Sequence, residues 1–291
     1  MQRKLVLTVG VLLLAFYAAC GGGEEQVTTD NSSGVTATVE KKTQIVPPKS
    51  NKEVGDKKEK PIVSDSEDKV DGGVFNMLWS DPPTLDPHLT SDTTSAGVIV
   101  EIYGGLVTFD TNLNLIPDLA ESWEISSDAL TYTFKIRDDA VFHDGKEVTA
   151  ADFKWSFERA AHPDTASPVA ETYLADIVGV KEVLEGETTK IAGITMVDDK
   201  TLQIKIDAPK AYFLAKLTYP TAYVLDQNNV ELERGEWTDT PNGTGPFKLV
   251  EYKIGERLIL ERHQDYHLGP AMLDKIQMNL VACAHANFCI E

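Results

Sequence analysis

Thirty residues near the middle of the chain, LTYTFKIRDDAVFHDGKEVTAADFKWSFER (130–159), admit few folds. Tyr132, Phe134 and Ile136 alternate with Thr133, Lys135 and Arg137, which predicts a strand with one buried face. Asp144-Gly145 then reads as a turn, because glycine takes positive φ without steric cost and aspartate bonds back to the local backbone. Thr149-Ala150-Ala151-Asp152 has the form of a capping box, with aspartate in place of the more usual glutamate. Phe153, Phe157 and Ala160 fall on one face of the helix that this box starts. A strand, a turn and a capped helix in such close succession call for helices packed on a sheet, so the fold class is α/β or α+β. His143 beside Asp144 is the most site-like pair in the chain. No serine or cysteine nucleophile motif accompanies it, and the pair reads as punctuation of the fold.

Neighbouring segments extend the pattern. GGVFNMLWSDPPTLDPH predicts a strand at Val74–Trp79 and an extended loop broken by Pro82, Pro83 and Pro87. Val98, Ile102 and Leu106 follow helical spacing, and Gly104-Gly105 stops that helix before another strand. Residues 170–186 predict a further helix, and TLQIKIDAP another half-buried strand through Leu202, Ile204 and Ile206. NGTGPFKLVEYKIGERLILERH predicts a hairpin turning near Gly255.

The ends of the chain differ in kind. Arg3 and Lys4 precede an apolar run from Leu5 to Ala19, shorter than the ~20 residues of a spanning helix, so the start reads as an export signal. Ala18-Ala19-Cys20 resembles a bacterial lipobox, with Tyr17 in the place of the usual aliphatic residue; an ordinary signal peptide with an incidental cysteine is the alternative. Residues 21–71 hold almost no large apolar side chains, so a disordered tether is expected there. The 291-residue chain carries a net charge of −19, which disfavours nucleic acid and anionic surfaces as partners.

Enzyme signatures are absent: there is no HExxH, GxSxG or Walker A sequence. GTGPFK (243–248) lacks the GK[ST] ending of a phosphate loop and reads as a β-turn, while Asn242-Gly243-Thr244 matches a glycosylation acceptor made idle by a bacterial-type export signal. Cys283, His285 and Cys289 form a weak zinc signal without a second cluster, and a local disulfide is also open. Asp81, Asp86, Asp92 and Asp110 flank the first loop and helix; each reads as solvated, and together they suit a cationic ligand group.

TLDPH (84–88), GLVTFD (105–110), LAESWEIS (119–126), the 130–159 stretch and GTGPFKLVEY (243–252) resemble, in that order, the extracellular solute-binding proteins of family 5, nearest to the oligopeptide-binding type. The resemblance implies an α/β, periplasmic-binding-protein-like (type II) clamshell. Residues 72–103 with 226–281 would form the first ligand-binding lobe and 104–225 an extra lobe, with 140–159 in the extra lobe, away from the cleft. The second, ligand-closing lobe would be missing and 282–291 an aberrant tail, as in a truncated or frameshifted product that binds ligand weakly. The implied ligand is a peptide held by main-chain groups at Ser91, Asp92, Thr93 and Thr244; Ser91 stands where a related binder has an acid and Val169 where it has a tyrosine. Implied partners are permease subunits with a separate ATPase, with lipidated Cys20 as the only membrane contact, in the periplasm or at the cell surface. No cofactor, metal or catalysis is implied. Alternatives are a nickel, haem or sugar ligand in the same family, or a surface lipoprotein for adhesion or signalling.

Overall fold

The apolar alternation seen in the sequence becomes two four-stranded sheets, each with its own core. A computed structural model describes residues 71–232 and 237–280. The leader with Cys20, residues 21–70 and the 282–291 segment with Cys283, His285 and Cys289 lie outside the described residues.

In chain order the strands are β1 (Val74–Trp79), β2 (Val107–Phe109), β3 (Leu115–Pro117), β4 (Ala120–Ile125), β5 (Thr131–Ile136), β6 (Ile194–Asp198), β7 (Thr201–Lys205), β8 (Phe247–Lys253), β9 (Arg257–Arg262) and β10 (Lys275–Leu280). The helices are α1 (Thr93–Ile102), α2 (Ala150–Ala161), α3 (Ala170–Leu174), α4 (Val180–Leu184), α5 (Phe213–Lys216) and α6 (Gln227–Leu232). One sheet has the order β1-β10-β9-β8, with β1 parallel to β10 and the other pairs antiparallel. The other is antiparallel, in the order β4-β5-β7-β6, and β2 and β3 form a separate hairpin.

Pairing follows the sequence pattern. Tyr132 faces Ile204 and Phe134 faces Leu202 across β5 and β7, and all four are buried. Phe153, Phe157 and Ala160 of α2 join the same core, each ring contributing about 2 kcal/mol by burial. The capping box is present in full: Asp152 N donates to Thr149 Oγ1 at 3.4 Å, and Thr149 N donates to Asp152 Oδ2 at 2.9 Å. A second core joins Leu85, Val98, Ile99, Ile102 and Tyr103 to Leu258, Leu260, Ile276 and Met278, so segments nearly 200 positions apart in the chain share it.

Two expectations needed revision. Residues 170–186 form two short helices, α3 and α4, because Gly179 takes φ +92° between them and a side chain there would strike the backbone of Ala192. Leu106 lies beyond α1 and packs in the core of the β4–β7 sheet, while the helix ends at Ile102 in the other core.

Thr149→Ala removes the cap of α2 while leaving its buried face intact. Urea unfolding is expected to show a loss of about 1 kcal/mol; an unchanged midpoint would contradict the role given to the cap.

Candidate functional site

The loop from β1 to α1 is rich in proline, and its conformation is set by side chains from elsewhere in the chain. Asp86 Oδ1 accepts from His88 N at 2.9 Å, closing a local turn. Arg159, in the last turn of α2, meets the same carboxylate with both nitrogens, Nη1 to Oδ1 at 3.1 Å and Nη2 to Oδ2 at 2.6 Å. Its Nη1 also lies 2.9 Å from His88 Nδ1, and its guanidinium lies over the Trp237 ring at 5.5 Å. Since Arg159 has only protons to give, Nδ1 of His88 accepts, and Nε2 donates to the Tyr223 carbonyl at 3.2 Å. His88 is fully buried; burial and the adjacent guanidinium lower its pKa to about 4, so it is neutral. Bidentate geometry of this kind is the strong form of a charge-assisted contact.

That bridge delivers the chain to Ser91, Asp92 and Thr93. Asp92 caps α1, with Oδ1 accepting from Ser95 N at 2.8 Å. Ser91 and Thr93 are exposed, and among the described residues the amides of Ser91 and Thr93 donate to no other group. Tyr219 lies alongside, its hydroxyl donating to the Thr90 carbonyl at 3.5 Å, and its ring stacks on Tyr173 with centroids 3.8 Å apart and planes at 9°. Of the four acids singled out in the sequence, Asp81 accepts from Gly255 N on both oxygens, Asp86 holds Arg159, and Asp110 is occupied by Asn112 and Asn114. Asp92 keeps Oδ2 without a hydrogen-bond partner among the described residues.

Thr244 is placed elsewhere. Gly243 and Gly245 pack so closely on the last turn of α1 that a side chain at either would strike the carbonyls of Glu101 or Ile102. Gly245 N donates to Ile102 O at 2.8 Å. Thr244 is wholly buried, and its Oγ1 has no partner among the described residues. A ten-residue helix separates this turn from Ser91–Thr93, about 15 Å along the axis, so the structure does not bring Thr244 to the other three.

His143 is also not remote from this turn. Its amide donates to Gly243 O at 2.8 Å, Gly243 N donates to its Nδ1 at 3.3 Å, and its Nε2 donates to Gly245 O at 3.2 Å. Besides marking the turn before α2, His143 holds a turn 100 residues away. Burial lowers its pKa to about 3. Asn242, of the idle Asn-Gly-Thr match, gives its side-chain amide to Asp226 at 2.8 Å. A cavity of about 480 Å³ opens beside His143, Lys146, Asp226 and Lys248, and its wall contains none of Ser91, Asp92 or Thr93.

Sequence reasoning missed Arg159, His88 and the pair between Asp118 and His267 (2.8 Å, both side chains covered), because the partners are 71 to 149 positions apart and no local spacing marks them. Among the described residues no group of three or more His, Cys, Asp or Glu side chains is placed to hold a metal.

The two sheets with their helices belong to the type II periplasmic-binding-protein class. The Escherichia coli murein tripeptide binding protein MppA superposes with a TM-score of 0.67 at 30% identity, covering 72% of this chain and 42% of that one. An oligopeptide-binding protein of Borrelia burgdorferi gives 0.68 at 32% identity, covering 72% and 43%. In sequence, the periplasmic oligopeptide-binding protein OppA of Escherichia coli is 34% identical over 192 residues, 64% of this chain and 35% of the relative. The dipeptide-binding protein DppE of Bacillus subtilis is 30% identical over 215 residues, 72% of this chain and 39% of the relative. The profile of the bacterial extracellular solute-binding proteins, family 5 (middle), matches residues 114–287, and the chain belongs to that family. The match runs into the 282–291 segment, and the chain spans well under half the length of these relatives.

Neutral buried histidines make stability depend on pH. The unfolded chain protonates His88 and His143 below about pH 6.5, whereas the folded chain does so only near 4 and 3. Stability is therefore full above pH 6.5 and falls as pH is lowered towards 4, for His88 by about 1.4 kcal/mol per pH unit. Thermal unfolding is expected to move down between pH 7 and pH 5, and His88→Gln to flatten that dependence; a melting temperature constant across the range would contradict the neutral assignment.

Proposed function

We propose that the chain carries part of the substrate-binding component of an ATP-driven importer, which captures peptides outside the cytoplasmic membrane and passes them to a permease. Family membership supports binding rather than chemistry, and the reading assigns no covalent step to the chain. The peptide class rests on the relatives, which are named for oligopeptides, dipeptides and a murein tripeptide.

The observation that carries the reading is the pair of exposed residues Ser91 and Thr93, whose amides donate to no group among the described residues, on a loop held by Asp86, Arg159 and His88. A bound peptide must have its own amides and carbonyls paired, and extended main-chain pairing does this without reading side chains. Ser91, Asp92 and Thr93 are proposed as the ligand segment. Thr244 is proposed to serve it from a distance, through the turn that seats the other end of α1.

We divide the chain in the same terms. Residues 72–103 with 226–281 are proposed as the first ligand-binding lobe and 104–225 as an extra lobe, supported by a core that joins residues 85–103 to 223–280 and a second core confined to 106–224. Residues 1–20 are proposed as a lipoprotein signal, Cys20 as the anchor and 21–71 as the tether. Periplasmic or cell-surface placement is proposed, supported by relatives named as periplasmic, and among the described residues no helix is long and apolar enough to cross a membrane. Closure would follow from a ligand that touches both sides of the cleft, since only differential contact shifts such an equilibrium.

Titration of isotope-labelled protein with tri-alanine, followed by amide NMR, tests the reading. Shifts confined to residues about 89–95 are expected at millimolar peptide; shifts absent there, or present with nickel, haem or a sugar instead, would refute the peptide assignment.

A further inference from the structure

We infer that Asp92, together with the stacked rings of Tyr173 and Tyr219, forms a subsite for a positively charged group of the ligand. The inference rests on the peptide-binding reading and adds to it a preference that main-chain pairing alone does not give.

Elimination supplies the first part of the argument. Asp81, Asp86 and Asp110 spend their carboxylates on protein groups. Asp92 uses Oδ1 to cap α1 and leaves Oδ2 unpaired among the described residues, next to Ser91 and Thr93, which are exposed. No Lys or Arg is paired with it among the described residues; Arg159 pairs with Asp86, and Lys146 with Asp152 and Asp226.

The tyrosines supply the second part. Tyr219 is tied to the segment through the Thr90 carbonyl, and its phenol proton is held more tightly than usual, by burial first and then by the nearby Tyr173 and Asp92. Tyr173 stacks on it at 3.8 Å and 9°, and both rings are only partly buried. Ser167 and Thr221, 3.5 Å apart through their hydroxyls, link the segments that carry the two rings. A carboxylate two residues from the carbonyl that the Tyr219 hydroxyl meets, with Tyr173 stacked on that ring, attracts an ammonium or guanidinium by charge and by the ring quadrupole, and has no comparable attraction for a neutral or acidic group. The positive charge has two sources in a peptide, a lysine or arginine side chain and the amino terminus.

The test compares tri-alanine, alanyl-lysyl-alanine, alanyl-glutamyl-alanine and N-acetylated tri-alanine against the full chain by amide NMR titration. The lysyl peptide is expected to bind about fivefold more tightly than tri-alanine, or, if the amino terminus is the occupant, acetylation is expected to weaken tri-alanine by a similar factor. Asp92→Asn preserves the cap, since asparagine caps helices as well as aspartate. It is expected to bring the affected ratio to near one, and Tyr219→Leu to reduce it. A general attraction of cations to a chain of net charge −19 would survive Asp92→Asn, so an unchanged ratio in that variant overturns the inference. Equal binding of all four peptides overturns the inference and leaves the peptide reading standing, whereas binding of none removes both.

Discussion

The bridge between Asp86 and Arg159 holds the rest of the described structure in register. Two charges are taken out of water there, at a cost of several kcal/mol each, and the contact persists because its geometry satisfies both partners. The guanidinium gives two hydrogen bonds to one carboxylate and a third to His88, and lies over Trp237. His88 must be neutral for this, and burial keeps it so. Asp86 belongs to the loop after β1 and Arg159 to α2, so one ion pair ties the core of the β1–β10–β9–β8 sheet to the helix that covers the other sheet. The exposed segment at Ser91–Thr93 begins three residues beyond His88 and inherits its position from that tie.

Polar struts at the other end of α1 complete the arrangement. His143 holds the Gly243–Gly245 turn, and His263 Nδ1 lies 3.2 Å from the same Gly245 carbonyl, with the two imidazoles edge to face at 4.9 Å. Asp118 takes His267 at 2.8 Å and accepts from Gly105 N at 3.2 Å. The His143 and His267 contacts join residues 104–225 to residues 226–281 by directional bonds rather than by apolar packing, while His263–Gly245 and Asp118–Gly105 brace the two sides themselves. Directional bonds fix a relative orientation, whereas apolar contact tolerates sliding. A helix clamped at both ends by such bonds is a rigid base for whatever pairs with its amino-terminal approach.

The fold was largely legible in the sequence where its cause is local. Alternation gave β5 and β7, the Thr149–Asp152 box gave α2, and Gly255, at φ +72°, closes the β8–β9 hairpin. Residues 170–186 misled because apolar spacing ran through Gly179, whose close approach to Ala192 is visible only in three dimensions. The candidate site was legible in part. Ser91–Thr93 came from family likeness, and the uncommitted oxygen of Asp92 emerged only when the partners of Asp81, Asp86 and Asp110 were known. His143 looked like a turn residue because the turn is adjacent to it in the chain, while its second partner, Gly243, is 100 positions away. Long-range polar pairs leave no periodic trace, so Arg159 and His267 were silent.

Hydrogen exchange of Arg159→Lys reads whether the Arg159 bridge sets the position of the segment that leads through Ser91–Thr93 into α1. Lysine keeps the charge but gives up the two-pronged contact and the bond to His88. The bonded amides of Thr84, Asp86, His88, Leu89 and Ser95 are expected to lose protection together with those of α2, while β4–β7 keep theirs. Loss confined to α2, with those five amides exchanging as in the unaltered protein, would overturn that role.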